Sequence, residues 1–239
     1  MATLVARSVG PRGLASTLRS ERDGDDAGRR WTYPGLVAQP AHYEDAAARV
    51  DKLVVGPFEN NVFVVRCKQS GDAVLIDAAN EHELLVDVCR SAGVRRVLTT
   101  HGHWDHIQAV TAVRDAGIDV GIAAQDAAML PAYDFVIPDD ELYRVGELRL
   151  RSVHTPGHTA GSTSFRLEGT PILFTGDTLF PGGAGNTTTP GASFETILDS
   201  IDRRLFTLAP DVLVLPGHGL DTTIGYERPH LDEWAERGW

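Results

Sequence analysis

Cysteine is scarce in this chain, with only Cys67 and Cys89 among 239 residues. Their spacing matches no zinc-binding pattern, and a single pair cannot build a disulfide framework. Cys67 follows the apolar run Val62-Phe63-Val64-Val65, and Cys89 falls on the apolar face of a predicted helix. Both therefore read as buried thiols that pack like small hydrophobes, while a bridge between them is left open by the sequence. There is no run of about 18 apolar residues, so no membrane span is expected. The segment from Met1 to Leu18 is basic but lacks a continuous apolar core, so no secretory signal is expected and a cytoplasmic location is the default. Basic residues are outnumbered, 22 Lys and Arg against 33 Asp and Glu, for a net charge of −11. That balance disfavours a nucleic-acid partner. A G-x-S-x-G elbow is missing, as is a cysteine beside a predicted base, which excludes serine and cysteine hydrolases.

What the chain does have is Thr100-His101-Gly102-His103-Trp104-Asp105-His106, directly after an apolar run. Four potential ligands stand in six positions, and imidazoles with carboxylate suit zinc or iron. Three later turns each carry one more: Pro156-Gly157-His158-Thr159, Thr175-Gly176-Asp177-Thr178 and Pro216-Gly217-His218-Gly219. Glycine lets a strand end turn tightly, so each side chain can point at a shared centre. Seven ligand-type residues exceed what one tetrahedral ion needs, and two ions fit the count better.

The segments around these turns alternate in type. Leu53–Val55, Val62–Arg66 and Ala73–Ile76 read as strands, with Gly71-Asp72 turning between the last two. Asn80 is placed to cap a helix bearing Leu84, Leu85, Val88, Cys89 and Ala92, with Gly93 ending it. Arg96–Thr100 is then a strand that delivers His101, and Asp105 is placed to cap a helix through Ile107, Val110 and Val113. Glu147–Arg151 alternates as a half-covered strand does. Thr163–Leu167, Pro171–Thr175 and Val212–Leu215 are further strands, the last two leading into Asp177 and His218. Ser193 caps a helix whose Phe194, Ile197, Leu198, Ile201 and Leu205 face the core. Pro138-Asp139-Asp140 reads as the junction between two halves. Residues 1 to 50, with the polar run Glu21–Arg30, read as a flexible arm that Trp31 and Tyr33 anchor, and 51–239 as the main domain.

These motifs resemble those of metallo-β-lactamase-fold hydrolases, closest to the short glyoxalase II-like (hydroxyacylglutathione hydrolase-like) branch. The likeness runs from about Leu53 to Tyr226, through Gly56–Asn61, His101–His106, His154–Ser162, Gly176–Phe180, Pro216–Gly219 and Thr222–Gly225. It implies an α/β fold, an αββα sandwich of two mixed sheets with helices on both outer faces and the metal site at one edge. It also implies that His101, His103 and His158 hold one ion and Asp105, His106 and His218 a second, with Asp177 bridging. Two Zn²⁺ per chain are expected, with iron or manganese as alternatives, and Asp105 is assigned a catalytic role besides ligation.

The implied reaction is attack by a metal-held hydroxide on the carbonyl of a thioester or related small acyl substrate. A mononuclear iron persulfide dioxygenase, using His101, His158 and Asp177, is a second expectation. A phosphodiesterase or nuclease and a non-enzymatic binding module of the same fold are the others. Partners are expected to be small molecules, without nucleic acid or membrane, and a homo-oligomer is open. The chain departs from glyoxalase II enzymes at Phe180–Thr187, which lacks their Gly-Cys-Gly-Arg type of loop, and only 21 residues follow His218 where a helical glutathione-binding domain would stand. His154 reads as structural, since Pro156-Gly157 breaks any helix that would pair it with His158. His42, His82 and His230 read as surface residues, and Trp104 as a packing residue beside the ligands. Asn186, Thr187 and Tyr226 are possible substrate contacts.

Overall fold

The computed structural model describes residues 41–238; the arm expected before them, with Trp31 and Tyr33, lies outside the described residues. Among the described residues the first sheet has seven strands in sequence order: β1 (Tyr43–Glu44), β2 (Ala48–Val55), β3 (Asn60–Cys67), β4 (Ala73–Ile76), β5 (Val94–Leu98), β6 (Asp119–Ile122) and β7 (Phe135–Val136). The pairs from β1 to β4 are antiparallel, and those from β4 to β7 are parallel. This sheet thus reaches back to Tyr43, into the stretch expected as arm.

The chain crosses to the second sheet between Val136 and Leu142, where the Pro138-Asp139-Asp140 junction was expected. That sheet contains β8 (Leu142–Val145), β9 (Leu148–His154), β10 (Thr163–Leu167), β11 (Ile172–Gly176), β14 (Leu213–Pro216) and β15 (Thr222–Thr223). A small hairpin, β12 (Leu179–Phe180) with β13 (Gly183–Ala184), projects after β11. The strand order is β15-β14-β11-β10-β9-β8, with β11 and β14 parallel and the rest antiparallel.

Alternation along the strands sorts three cores. On β3, Phe63, Val65 and Cys67 face the second sheet, together with Phe165, Leu167 and Phe174. Val62 and Val64 face outward, onto α1 (His82–Ala92) and α3 (Val110–Asp115) through Leu85, Val88, Val110 and Val113. Every residue of β3 is buried, as a strand covered on both faces must be. On the far side, Leu173 and Val214 meet Ile197, Ile201, Leu205 and Trp234 from α4 (Phe194–Ser200), the π-helical turn Ile201–Leu205 and α6 (Leu231–Arg237), with Ile224 of α5 (Ile224–Glu227). This is the expected αββα sandwich.

Local details differ from expectation at the helix starts. Asn80 does not cap α1: its Oδ1 takes the Glu81 N–H at 2.6 Å and its Nδ2 donates to Gln108, while Glu81 occupies the cap position in the left-handed region. Asp105 does not cap either. It lies in the first turn of the short α2 (Trp104–Ile107), which His103 precedes with extended backbone. The cause is functional geometry, because Asp105 Oδ2 is engaged by Asn60 rather than by a free helix amide. Ser193 caps α4 as expected, accepting the Thr196 N–H. Both cysteines are buried and free. No helix among the described residues is long and apolar enough to cross a membrane.

Candidate metal centre

All four ligand-bearing turns leave the same edge of the sandwich. β5 ends at Leu98 and β4 at Ile76, parallel neighbours in the first sheet; β11 and β14 end at Gly176 and Pro216, parallel neighbours in the second. The ends of parallel strands in one sheet point the same way, so His101, Asp177 and His218 converge from three of them. The Thr163 N–H donates to Thr100 O at 2.8 Å, and Asn61 N–H to Gly217 O at 2.7 Å, pinning the sheets together at this edge. Two glycines are dictated by space. A Cβ at Gly176, whose φ is +49°, would stand 2.6 Å from Thr100, and one at Gly217 would stand 2.3 Å from Asp177 Oδ1.

The seven residues fall into interlocking triplets, each with donor atoms within 4.8 Å of one another: His101, His103 and His158; His101, His106 and Asp177; Asp105, His106 and His218. Asp177 spans the set, with Oδ1 3.4 Å from His106 Nε2 and Oδ2 3.6 and 3.5 Å from the Nε2 atoms of His158 and His218. Asp105 Oδ2 lies 3.3 Å from His218 Nε2. Two ligands held about 2.0 Å from a tetrahedral ion stand roughly 3.3 Å apart, so these separations are those of groups converging on cations.

Four of the five imidazoles are oriented alike. His101 Nδ1 lies 3.0 Å from Thr100 Oγ1, His106 Nδ1 3.0 Å from Asp77 Oδ2, His158 Nδ1 2.6 Å from Asn186 O and His218 Nδ1 2.9 Å from Phe58 O. Each acceptor fixes the proton on Nδ1 and leaves the Nε2 lone pair for the centre. Nε2 of His101 and of His158 are buried without a hydrogen-bond partner among the described residues, and a metal would supply one.

The electrostatics agree. Burial opposes a charge on Asp177, yet His106 and the other imidazoles outweigh it and hold the carboxyl below its ordinary range. Burial likewise disfavours the Asp105 anion, but hydrogen bonding with His218, the field of His106 and the Asn60 amide leave it well below that range. His101, deep and facing other imidazoles, is pushed well down and stays neutral. At His106 burial is overcome by Asp177 and Asp77, which raise it. The pocket thus sets ionised carboxylates beside a neutral His101, and those carboxylates draw positive charge to His106 and His218.

Three residues outside the expected set complete the site. Asp77, buried and in the left-handed region at φ 62°, accepts the Thr100 N–H at 2.7 Å and the Thr100 hydroxyl at 2.8 Å besides His106. A non-glycine residue there carries strain that the three bonds offset. Asp126 ties two ligand loops together, taking the Gly102 N–H at 2.9 Å, the Thr159 hydroxyl at 2.6 Å and the Gly161 N–H at 2.7 Å. Asn60 donates to Asp105 at 3.0 Å. Asp77 carried a sequence signal, an acid directly after an apolar strand, as Asp177 is; Asn60 stood in the Gly56–Asn61 motif of the resemblance without a role assigned to it, and Asp126 carried no signal.

Other candidates are placed plainly. His154 Nε2 lies 3.0 Å from Ala160 O, outside the triplets. His42 pairs with Asp221, His82 is exposed and His230 is half-exposed. Trp104 is 58% exposed and meets Phe58 edge-to-face at 5.1 Å, so it is a surface aromatic beside Asp105 rather than a packed one. The Asn186 side chain accepts from Thr188, and its part in the site is its carbonyl. Thr187 is half-buried and Tyr226 exposed against His230.

A two-sheet sandwich with histidine and aspartate triplets at its edge defines a metallo-hydrolase type of protein. The chain belongs to the metallo-beta-lactamase superfamily, whose model matches residues 55–218. It is 30% identical over 201 residues to the hydroxyacylglutathione hydrolase GloC of Haemophilus influenzae, covering 75% of this chain and 94% of that protein. Among solved structures it resembles ETHE1 from Myxococcus xanthus, at TM-score 0.66 and 29% identity over 76% of this chain and 82% of that one. TTHA1623 in a di-iron-bound form is similar at TM-score 0.63 and 29% identity, over 74% and 96%. The histidine and aspartate cluster is compatible with a binuclear metal site, and the di-iron neighbour allows iron there.

Proposed function

We propose that the chain hydrolyses a thioester or related small acyl substrate with two bound metal ions. His101, His103 and His158 would hold one ion and Asp105, His106 and His218 the other, with Asp177 between them. The observation that supports this most is the common orientation of four imidazoles, each donating Nδ1–H to a protein oxygen and turning Nε2 inward. Bound ions of this kind supply Lewis acidity and a water acidic enough to ionise near neutral pH.

The protein groups do the positioning. Asp105 Oδ2, kept ionised and held by Asn60, faces His218 and is placed to help hold an ion and to orient the attacking water by accepting its hydrogen bond. The Thr163 and Asn61 backbone bonds keep the two halves of the site in register. Phe58 and Trp104 form an exposed apolar lip beside Asp105, suited to the body of an acyl group or its thiol carrier. The similarity to the hydroxyacylglutathione hydrolase supports the thioester. The likeness to ETHE1 supports a second reading, a mononuclear iron persulfide dioxygenase on His101, His158 and Asp177; the completeness of the Asp105, His106 and His218 triplet favours two ions.

Elemental analysis of protein expressed with zinc and iron both supplied, followed by a thioester panel, tests the proposal. Near two ions per chain with thioester hydrolysis is the expected result. Fewer than two ions and no hydrolysis across the panel refutes it, and near one iron with oxygen uptake on persulfide establishes the second reading.

A further inference from the structure

A second cleft, about 330 Å³ in volume, opens at the beginnings of β4 and β5 where they approach β8. Gly93 lies in its wall, and from there the chain runs along β5 toward His101, roughly 25 Å at the rise of an extended strand. The cleft is therefore at the opposite end of the sandwich from the metal centre. Arg95 and Arg96 of β5 and Arg144 of β8 line it, in a protein that is otherwise strongly acidic.

The site is built rather than incidental. The Arg96 guanidinium stands 5.1 Å from the Phe135 ring and 5.9 Å from the Tyr143 ring, stacking that holds its plane. Tyr143 is 7% exposed and packs in the core between the sheets, yet its hydroxyl has no hydrogen-bond partner among the described residues. The buried Nε of Arg96 has none either. A buried hydroxyl without a partner needs an explanation, and on the wall of a cleft a ligand acceptor provides it. Burial raises the Tyr143 phenol to about 12, so it remains a donor throughout the neutral range.

Arg96 lies beside Tyr143 between the sheets, while Arg95 and Arg144 line the cleft from the opposite faces of their strands. Such cationic donors suit the terminal oxygens of a phosphomonoester, which accept several charge-assisted bonds at once. Asp72 and Asp119 share the wall, and Asp119 also interacts with Arg114. Carboxylates repel phosphate but accept hydroxyl protons, so they suit the body of a ligand rather than its anion. We propose that this cleft binds a small phosphorylated polyol, such as a sugar phosphate, in a site separate from the metal centre.

Calorimetric titration of the metal-loaded full chain with ribose 5-phosphate, inorganic phosphate and ribose tests it. Saturable binding of ribose 5-phosphate, weaker binding of phosphate and no binding of ribose are expected. Arg96→Gln should weaken ribose 5-phosphate binding about tenfold or more, and Tyr143→Phe, which keeps the ring and its packing, about threefold. Both variants should retain wild-type metal content. No ribose 5-phosphate binding at millimolar ligand overturns the proposal. So does binding that survives both substitutions and vanishes on chelation, since that ligand would sit on the metals, and so does ribose binding as well as its phosphate. None of these results depends on the reaction at the metal centre.

Discussion

Replacing Asp77 with Asn isolates the tautomer argument at the metal centre. The carboxylate accepts from His106 Nδ1 at 3.0 Å and from both Thr100 donors at 2.7 and 2.8 Å. Asparagine keeps the shape and keeps one oxygen for the Thr100 N–H, but turns an amide nitrogen toward the imidazole. That nitrogen donates, so the ring's own proton moves to Nε2, the atom 3.1 Å from His218 Nε2 and 3.4 Å from Asp177 Oδ1. A protonated Nε2 cannot ligate. Loss of such a supporting carboxylate costs about 10–100-fold in metal affinity, which is roughly 1.4–2.7 kcal/mol. The apo fold loses a buried charge-assisted bond of about 1.5–3 kcal/mol, so its Tm should fall by roughly 3–12 °C for a domain of this size. Competition with a chelating dye measures the affinities of the two ions separately, and thermal unfolding measures the fold. One ion should weaken much more than the other. If Asp77→Asn held both ions at wild-type affinity, the assignment of His106 as an Nε2 ligand set by Asp77 would be wrong.

Further outcomes follow from contacts outside the ligand set. Asp126→Ala removes three bonds between the Gly102 and Thr159–Gly161 loops, leaving buried donors unpaired; a loss of about 3 kcal/mol in urea unfolding is expected, together with weaker binding of the ion on His101, His103 and His158. At Asp221 burial opposes ionisation, but the His42 contact and Lys52 outweigh it and depress the carboxyl. Its native form therefore releases its proton at lower pH than the unfolded chain, and its stabilisation is complete above the ordinary carboxylate value of about 3.9 and lost as pH falls through the depressed value. Asp221→Asn should accordingly flatten the acid side of the stability profile below about pH 4, as denaturant midpoints measured across pH would show. Burial pushes the Cys89 thiol up to about 12; at Cys67 burial is outweighed by hydrogen bonding with Ser70, which lowers the thiol, but the side chain is fully buried and out of a reagent's reach. Neither should react with a thiol reagent at pH 8 in the folded protein, whereas two thiols should titrate in denaturant; fewer would indicate a bridge.

Local sequence signals placed most of the strands and the seven histidines and aspartates that the structure brings together, while the sandwich itself was implied by the family resemblance. Ligand-type residues at glycine turns after apolar runs are local signals, because a strand end and a tight turn are written in consecutive residues. The strand through Ala73–Ile76, the alternation at Leu148–Arg151 and the Ser193 cap are local in the same sense. Strand ends were less legible: β5 stops at Leu98 rather than Thr100, because Thr100 turns its amide and hydroxyl to Asp77 instead of continuing the ladder. Asn80 and Asp105 looked like helix caps since both residue types favour that position, yet their side chains serve Gln108 and Asn60.

Tertiary structure alone decided what surrounds the candidate ligands. Asp77 lies 29 residues from His106, Asp126 lies 33 from Thr159, and Asn60 lies 45 from Asp105. Hydrogen bonds across such separations leave no periodicity in the chain, and any buried acid or amide looks the same until its partner is placed. The exposure of Trp104 and the meeting of Arg96, Phe135 and Tyr143 from three strands have the same origin. Patterning determines which face of an element is buried, whereas the partner that a buried polar atom finds depends on how two sheets dock.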